Sequence, residues 1–242
     1  MEETLVTVLD NRLLSAGFYE MTLSQEKDHF PRAGMFFSLA LPGFFLRRPF
    51  SPFASDAASF SFLYKVVGEG TEAMSRIRKG EKLNALLGLG NGYDVTGAKE
   101  NPLLIGGGSG VGVLLLLARK LIAVGKKPRL AIGFNTGAEV SLQEEFEALG
   151  SPFELYTVDG SRGRKGFPTL AMEEPYDFLY ACGPLPLLKA VKARARTPGL
   201  FSLEARMGCG FGVCMGCTIK TKEGRKRICK DGPVFDMEDL VW

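Results

Sequence analysis

Histidine is almost missing from this chain: His29 is the only one in 242 residues. It lies in an ordinary Asp-His-Phe-Pro context, where a surface loop residue is expected, and no Ser-His-Asp or paired-carboxylate constellation is legible anywhere. Acid–base work on a substrate would therefore fall to another chain. Bulk charge is lacking too. The 30 Lys plus Arg against 27 Asp plus Glu leave a net +3, too mild to imply nucleic acid or a membrane surface as partner. Long hydrophobic runs are absent: the longest, Val111 to Ala118, stops at Arg119 and Lys120, well short of the roughly 20 residues that span a bilayer. The opening MEETLVTVLDNRLLSAG is acidic and lacks the basic-then-apolar order of a secretory signal, so a cytoplasmic location is expected.

What the chain does have is cysteine in one place. Five occur, and four fall from Cys209 onward. In a reducing compartment a disulfide framework is not expected, and metal binding is the leading reading. Cys209, Cys214, Cys217 and Cys229 are spaced C-x4-C-x2-C-x11-C, and the first three match the plant-type spacing of a 2Fe–2S cluster. The glycines of GCGFGVCMGC have a reason there, because a loop wrapping a cluster must visit positive φ and aim N–H groups at sulfur. Four thiolates also bind zinc, although zinc sites usually draw on two separated short pairs, whereas three of these ligands share one loop. Cys182 stands apart, either as a small buried hydrophobe or as a residue lining a cofactor cleft.

With 45% hydrophobic residues the chain can bury one large core or several small ones. Residues 1–97 carry short runs at Leu5–Leu9, Tyr19–Leu23, Met35–Leu41 and Phe60–Val67, broken by Gly, Pro and Asp, and read as a small antiparallel β-barrel. Residues 98–200 alternate strand and helix, with strands expected at 102–105, Arg129–Phe134, Phe153–Val158 and Phe178–Ala181. A capping box of Ser141 with Glu144 is expected to open one helix, and a basic helix runs to about Arg196. That grammar predicts a parallel sheet with crossovers. Residues 201–242 form a third region holding the cysteines.

Three further motifs carry chemistry. Arg47-Arg48-Pro49-Phe50-Ser51 combines a cation, a chain-fixing proline, a ring that can stack and a hydroxyl, and Gly68-Glu69-Gly70-Thr71 offers a nest of N–H groups plus a hydroxyl. Gly106-Gly107-Gly108-Ser109-Gly110 lies between strand and helix, where it either cradles a pyrophosphate or only permits close packing. Glu139 is the acid available for a ribose hydroxyl. No Arg or Lys lies between Gly133 and Glu139, which favours NAD over NADP.

In this order, Arg-Pro-aromatic-Ser, Gly-Thr, a glycine turn, Cys-Gly-Pro and a C-terminal C-x4-C-x2-C…C, the chain resembles the ferredoxin-reductase superfamily. Within it, the chain is similar to the electron transfer subunits of type B dihydroorotate dehydrogenase. Leu89-Gly90-Asn91-Gly92-Tyr93 and Asp231-Gly232-Pro233-Val234-Phe235 belong to the same likeness, which spans nearly the whole chain.

The resemblance implies an FAD-binding barrel, a Rossmann-like NAD domain and a small 2Fe–2S domain. Arg48, Pro49, Phe50 and Ser51 would contact FAD, Leu63, Tyr64 and Lys65 would line it, and Gly70 and Thr71 would bind its phosphates. Gly106, Gly107, Gly108 and Gly110, with Cys182, Gly183 and Pro184, would serve the nucleotide cofactor, and the four clustered cysteines would hold the iron. It further implies an FMN-containing catalytic subunit as partner, in a heterotetramer of two such pairs.

Pro52 and Gly112 depart from the pattern, standing where an aliphatic residue and a proline are usual. Two rivals are the small subunit of a related NAD(P)H:ferredoxin oxidoreductase or sulfide dehydrogenase, where an aspartate often replaces one cluster cysteine, and a zinc-stabilised nucleotide module without redox function. The basic stretch Lys220 to Arg227 reads as a solvated hairpin or as a dock for an acidic partner.

Overall fold

The computed structural model describes residues 1–242. The first half of the chain builds a seven-stranded antiparallel sheet from β1 (Glu2–Ser15), β2 (Phe18–Ser24), β3 (Phe36–Leu39), β4 (Arg48–Phe50), β5 (Pro52–Ser55), β6 (Ser59–Lys65) and, after the short helix α1 (Glu69–Ser75), β7 (Lys82–Leu89). The strand order is β4-β3-β7-β1-β2-β6-β5. The two edge strands, β4 and β5, are consecutive in the chain and separated only by Ser51, so the sheet rolls up until its edges meet there. β1 makes the corner: its first half pairs with β7 and its second with β2, with a register shift between Val8 and Asp10, the kind of bulge that turns a barrel. Alternate residues point inward, as a period of two requires. Val6 and Val8, Met21 and Leu23, Phe37 and Leu39, Phe60, Phe62 and Tyr64, and Leu83, Ala85 and Leu87 form one core. Phe62 packs edge-on against Phe37, with ring centroids 4.9 Å apart.

The second sheet contains β8 (Leu103–Gly107), β9 (Arg129–Phe134), β10 (Phe153–Thr157), β11 (Arg164–Lys165), β12 (Leu179–Cys182), β13 (Gly199–Ser202) and β16 (Val234–Asp236). All run parallel except β16, which returns antiparallel to β13. The order β11-β10-β9-β8-β12-β13-β16 reverses direction between β8 and β12, so the crevice at their carboxyl ends is the switch point where ligands bind in such sheets.

Helix α2 (Val111–Ala123) is buried along almost its whole length because it is wedged between the sheet and the outside of the barrel, in one hydrophobic cluster with Phe18, Phe53 and Leu63. A helix apolar all round is the sequence expected for that place. Gly112 lets it approach, since a methyl there would stand 3.3 Å from Phe53 Cβ. Helix α3 (Gln143–Glu147) packs through Phe146 on the same face of the sheet as α2, and α4 (Leu185–Arg194) packs through Leu188 and Val191 on the opposite face. The C-terminal region adds the hairpin of β14 (Thr218–Thr221) with β15 (Gly224–Arg227), and the turn of helix α5 (Ile228–Asp231).

Two expectations need correction. The helix after β9 is not opened by a Ser141–Glu144 capping box. Its N-cap is Leu142, in a left-handed conformation (φ 60°) without a side-chain cap, because the Ser141 hydroxyl is taken by Ser15 of the barrel at 2.6 Å and by the Glu139 carbonyl. Nor is His29 a surface residue. Its side chain is only 8% exposed, held between Gln25 and Glu2, which anchors the loop to the start of β1 and presents the ring to no substrate. The Glu2 carboxyl is correspondingly held below its usual range by hydrogen bonds from Lys27 and His29.

Candidate functional site

A cleft of about 810 Å³ opens between the barrel and the second sheet. One wall is the barrel seam and its neighbour: Pro49, Phe50 and Ser51 where β4 passes into β5, Leu63, Tyr64 and Lys65 on β6, and Thr71 on α1. The facing wall is the switch point. Gly107 ends β8, with Gly108 and Gly110 just after it, and Cys182 ends β12, with Pro184 just after it. These two turns meet because β8 and β12 pair directly, Gly106 opposite Cys182. A methyl on Gly110 would stand 2.8 Å from the Cys182 carbonyl carbon and the Gly183 nitrogen, so the close approach requires glycine.

Four of the expected residues are not part of the lining. Gly106 packs under Leu114, and Gly183, at φ 151°, packs on the Gly107 backbone. Arg48 reaches over the Phe44 ring, 5.1 Å from its centroid, and lies so close to Gly70 that a methyl there would be 2.7 Å from the guanidinium. Thr71 Oγ1 accepts from the Val67 and Gly68 amides and so sets the loop entering α1.

The remaining polar groups are held rather than free. Lys65 Nζ donates to Glu139 Oε1 at 2.8 Å, a bridge from the barrel to the sheet domain, and sits 5.0 Å over the Phe18 ring. Glu139 also accepts from Asn135, which occupies the carboxylate that was the candidate for a ribose. Tyr64 donates to Asn11, and burial pushes its hydroxyl pKa up, keeping it neutral. Cys182 is 2% exposed and lies at the wall of the cleft. Burial, reinforced by the nearby Glu204 carboxylate, raises its pKa strongly, so it is a neutral thiol with no nucleophilic character.

Sequence reasoning missed the floor of the cleft: Phe36, Ser202, Leu203, Glu204, Met207 and Pro233. Glu204 lines the cleft but is exposed there, and desolvation by the surrounding protein raises its carboxyl pKa. Apart from Pro233, which belongs to the Asp231–Phe235 stretch, no local motif marks these residues, which arrive from three separate segments.

The cysteines lie just beyond that floor. Cys217 and Cys229 are buried, Cys209 is half-buried and Cys214 is exposed. The sulfurs form two pairs. Cys209 Sγ accepts from the Val213 and Cys214 amides at 3.3 and 3.4 Å, Cys214 Sγ accepts from the Cys209 amide at 3.4 Å, and Cys217 Sγ accepts from the Cys229 amide at 3.4 Å. Burial opposes ionisation of Cys209, yet the amides of Cys214, Phe211 and Val213 bring its thiol down to about 6. Cys229 is pushed up to about 12 by burial and by the neighbouring Cys217 and Cys209 sulfurs. Two thiol pairs with N–H groups aimed at sulfur suit two irons, each needing two thiolates. The single connection that follows β7 stitches the barrel to the second sheet. The Asn91 side chain donates to the Val234 carbonyl and accepts from its amide, and Tyr93 Oη donates to the Ala181 carbonyl and accepts from the Ser202 amide.

A seam-closed antiparallel barrel, a switch-point nucleotide cleft and a cysteine loop beside them define a ferredoxin-reductase-type protein with an iron–sulfur module. Residues 204–241 match the iron–sulfur cluster binding domain of dihydroorotate dehydrogenase B. Over its full length the chain is 38% identical to the dihydroorotate dehydrogenase B (NAD(+)) electron transfer subunit of Bacillus pumilus, covering 99% of that protein, and it is 39% identical over 97% of its length to the counterpart of Caldanaerobacter subterraneus. The chain belongs to the family of dihydroorotate dehydrogenase B electron transfer subunits. Among solved structures it superposes with a TM-score of 0.90 and 26% identity, over 99% of this chain and 90% of the other, on a chain of the NADH-dependent reduced ferredoxin-NADP oxidoreductase. Phthalate dioxygenase reductase shares the fold at a TM-score of 0.68 and 17% identity, over 94% of this chain and 77% of that one.

Proposed function

We propose that the chain works in the cytoplasm as the electron transfer subunit of a type B dihydroorotate dehydrogenase. Electrons taken from dihydroorotate by an FMN-bearing partner pass by way of the 2Fe–2S cluster and FAD to NAD+, in a heterotetramer of two such pairs that serves pyrimidine synthesis. The observation that carries this reading is adjacency: Phe36 lines the flavin-sized cleft and packs in one apolar cluster with Cys217, Cys229 and Met207, so the two redox sites share a wall. When bound, FAD exchanges a hydride with nicotinamide and single electrons with the cluster.

The chain's own residues bind and orient. Pro49, Phe50 and Ser51 present a rigid edge, a ring and a hydroxyl to the flavin, with Leu63, Tyr64 and Lys65 beside it. Arg48, with Gly70 and Thr71 at the start of α1, suits the flavin's phosphates, and Gly107, Gly108 and Gly110 with Cys182 and Pro184 receive the nicotinamide nucleotide. Gly106 and Gly183 support that turn from behind. Cys209, Cys214, Cys217 and Cys229 hold the cluster, and exposed apolar Phe211, Val213 and Met215 around it suit a partner surface.

The test is the visible spectrum of anaerobically purified protein before and after NADH. Flavin and iron–sulfur bands that both bleach are expected. A colourless protein indifferent to NADH would sink the proposal. The close superposition on the ferredoxin-NADP oxidoreductase chain supports a second reading, a ferredoxin-linked oxidoreductase subunit, and reduction by the co-purifying partner with dihydroorotate, rather than with reduced ferredoxin, separates the two.

A further inference from the structure

Alternate residues of β3 serve different neighbours. Phe37 and Leu39 point into the barrel core, while Phe36 and Ser38 face outward, toward the cleft floor and the cluster loop. Ser38 pairs with Pro49 of β4 on one side and Leu86 of β7 on the other. It is 2% exposed, and its hydroxyl makes no hydrogen bond.

A buried hydroxyl without a partner has given up its water contacts with nothing in exchange, so it calls for an acceptor. Phe36, Leu86 and Leu89, which surround it on this face, are apolar and offer none. The cluster loop does lie against it, because a methyl built on Gly210 would stand 3.7 Å from Ser38 Oγ. Gly210 immediately follows Cys209, and at φ 81° it brings the loop backbone over the serine. The donors that already reach the cysteine sulfurs, from Cys209, Val213, Cys214, Gly216 and Cys229, are all backbone amides.

We propose that the Ser38 hydroxyl donates a hydrogen bond to the sulfur of the 2Fe–2S cluster held by this loop, and that Ser38 thereby tunes the cluster's potential at the wall shared with the flavin. The inference rests on the proposed function, since it needs the cluster. Ser38 is a tuning residue and passes no proton or electron. Reduction adds negative charge to the cluster, so a donor aimed at its sulfur stabilises the reduced form more and raises the potential. In dry, apolar surroundings water does not screen that effect.

The test uses the full chain, loaded with cluster, as wild type, Ser38→Ala and Ser38→Thr. Iron and acid-labile sulfide certify loading, and a redox titration followed by electron paramagnetic resonance reads the cluster potential. Ser38→Ala should lower the equilibrium constant for one-electron reduction about tenfold, a shift of about 59 mV to more negative potential. Ser38→Thr, which keeps the hydroxyl, should stay near wild type, and the flavin potential should not move. Loss of the cluster from the alanine variant with retention in the threonine variant would also support the hydrogen bond, whereas loss from both would overturn it. An unmoved cluster potential in a fully loaded Ser38→Ala, or a shift confined to the flavin, overturns the inference alone. A wild-type chain without iron and sulfide overturns the proposed function with it.

Discussion

At Gly110 one methyl group decides whether two turns can meet. An added Cβ would press on the backbone of Cys182 and Gly183, and backbone cannot swing aside as a side-chain tip can. Gly110→Ala is expected to lose about 1–3 kcal/mol, the usual cost of overpacking, and to weaken NADH binding; thermal unfolding and an NADH titration check both. Gly70 differs, because its close neighbour is the end of the flexible Arg48 side chain. The cysteines are decided by chemistry rather than space. Cys217→Ser replaces a buried sulfur of one pair with a hard oxygen, and iron and acid-labile sulfide should fall to near zero while the flavin absorbance survives, as elemental analysis and the visible spectrum would record.

At the scale of elements, the barrel and the sheet domain are joined by α2 and by a few polar links. Lys65 and Glu139 are both largely covered, at 32% and 17% side-chain exposure, so their bridge is less screened than a surface pair. Glu139→Gln keeps the shape and removes the charge. About 1 kcal/mol of stability should be lost, read by urea denaturation. Inside the barrel the aromatic stack is worth more. Phe62 is fully buried against Phe37, Phe50 and Tyr64, and Phe62→Ala should cost about 3–5 kcal/mol and release FAD with it. The basic hairpin of β14 and β15 divides in the same way. Arg227 is spent internally, on Asp231 and on the Gly212 carbonyl of the cluster loop, and Lys226 pairs with Glu223. Lys220 and Arg225 lie opposite one another in the ladder and are exposed.

At the scale of the whole molecule, that division chooses the variant for testing assembly. Reversing Lys220 and Arg225 to glutamate leaves the internal links of Arg227 intact. The double variant should bind the catalytic partner more weakly, with the loss largest at low salt; calorimetric titration at two ionic strengths measures it, and equal affinity at low salt would show that the hairpin takes no part. No helix of the chain is long and apolar enough to cross a membrane, in keeping with the short run from Val111 to Ala118 that forms the buried first two turns of α2. The three regions are bound through shared cores rather than linked loosely. Phe36, Leu86 and Leu89 of the barrel, Leu103 and Ile105 of the sheet, and Cys217 and Cys229 of the cluster region belong to one hydrophobic cluster.

The sequence by itself determined what depends on short spacing. Three cysteines within nine residues can only wrap a compact centre, alternating apolar residues over Phe60 to Tyr64 can only line one side of a strand, and a glycine run between strand and helix marks a tight turn. What the spacing does not contain is who meets whom across crossovers. That β8 lies beside β12, so that Gly110 touches Gly183, and that Asn91 clasps Val234, follow from topology. The same holds for Ser141, where a hydroxyl suited to cap a helix is drawn away by Ser15, and for His29, covered because β1 runs past it. Local backbone preference is written in neighbouring residues, but burial and the choice of hydrogen-bond partner are settled by segments far apart in the chain, and only the packed tertiary structure brings them within reach.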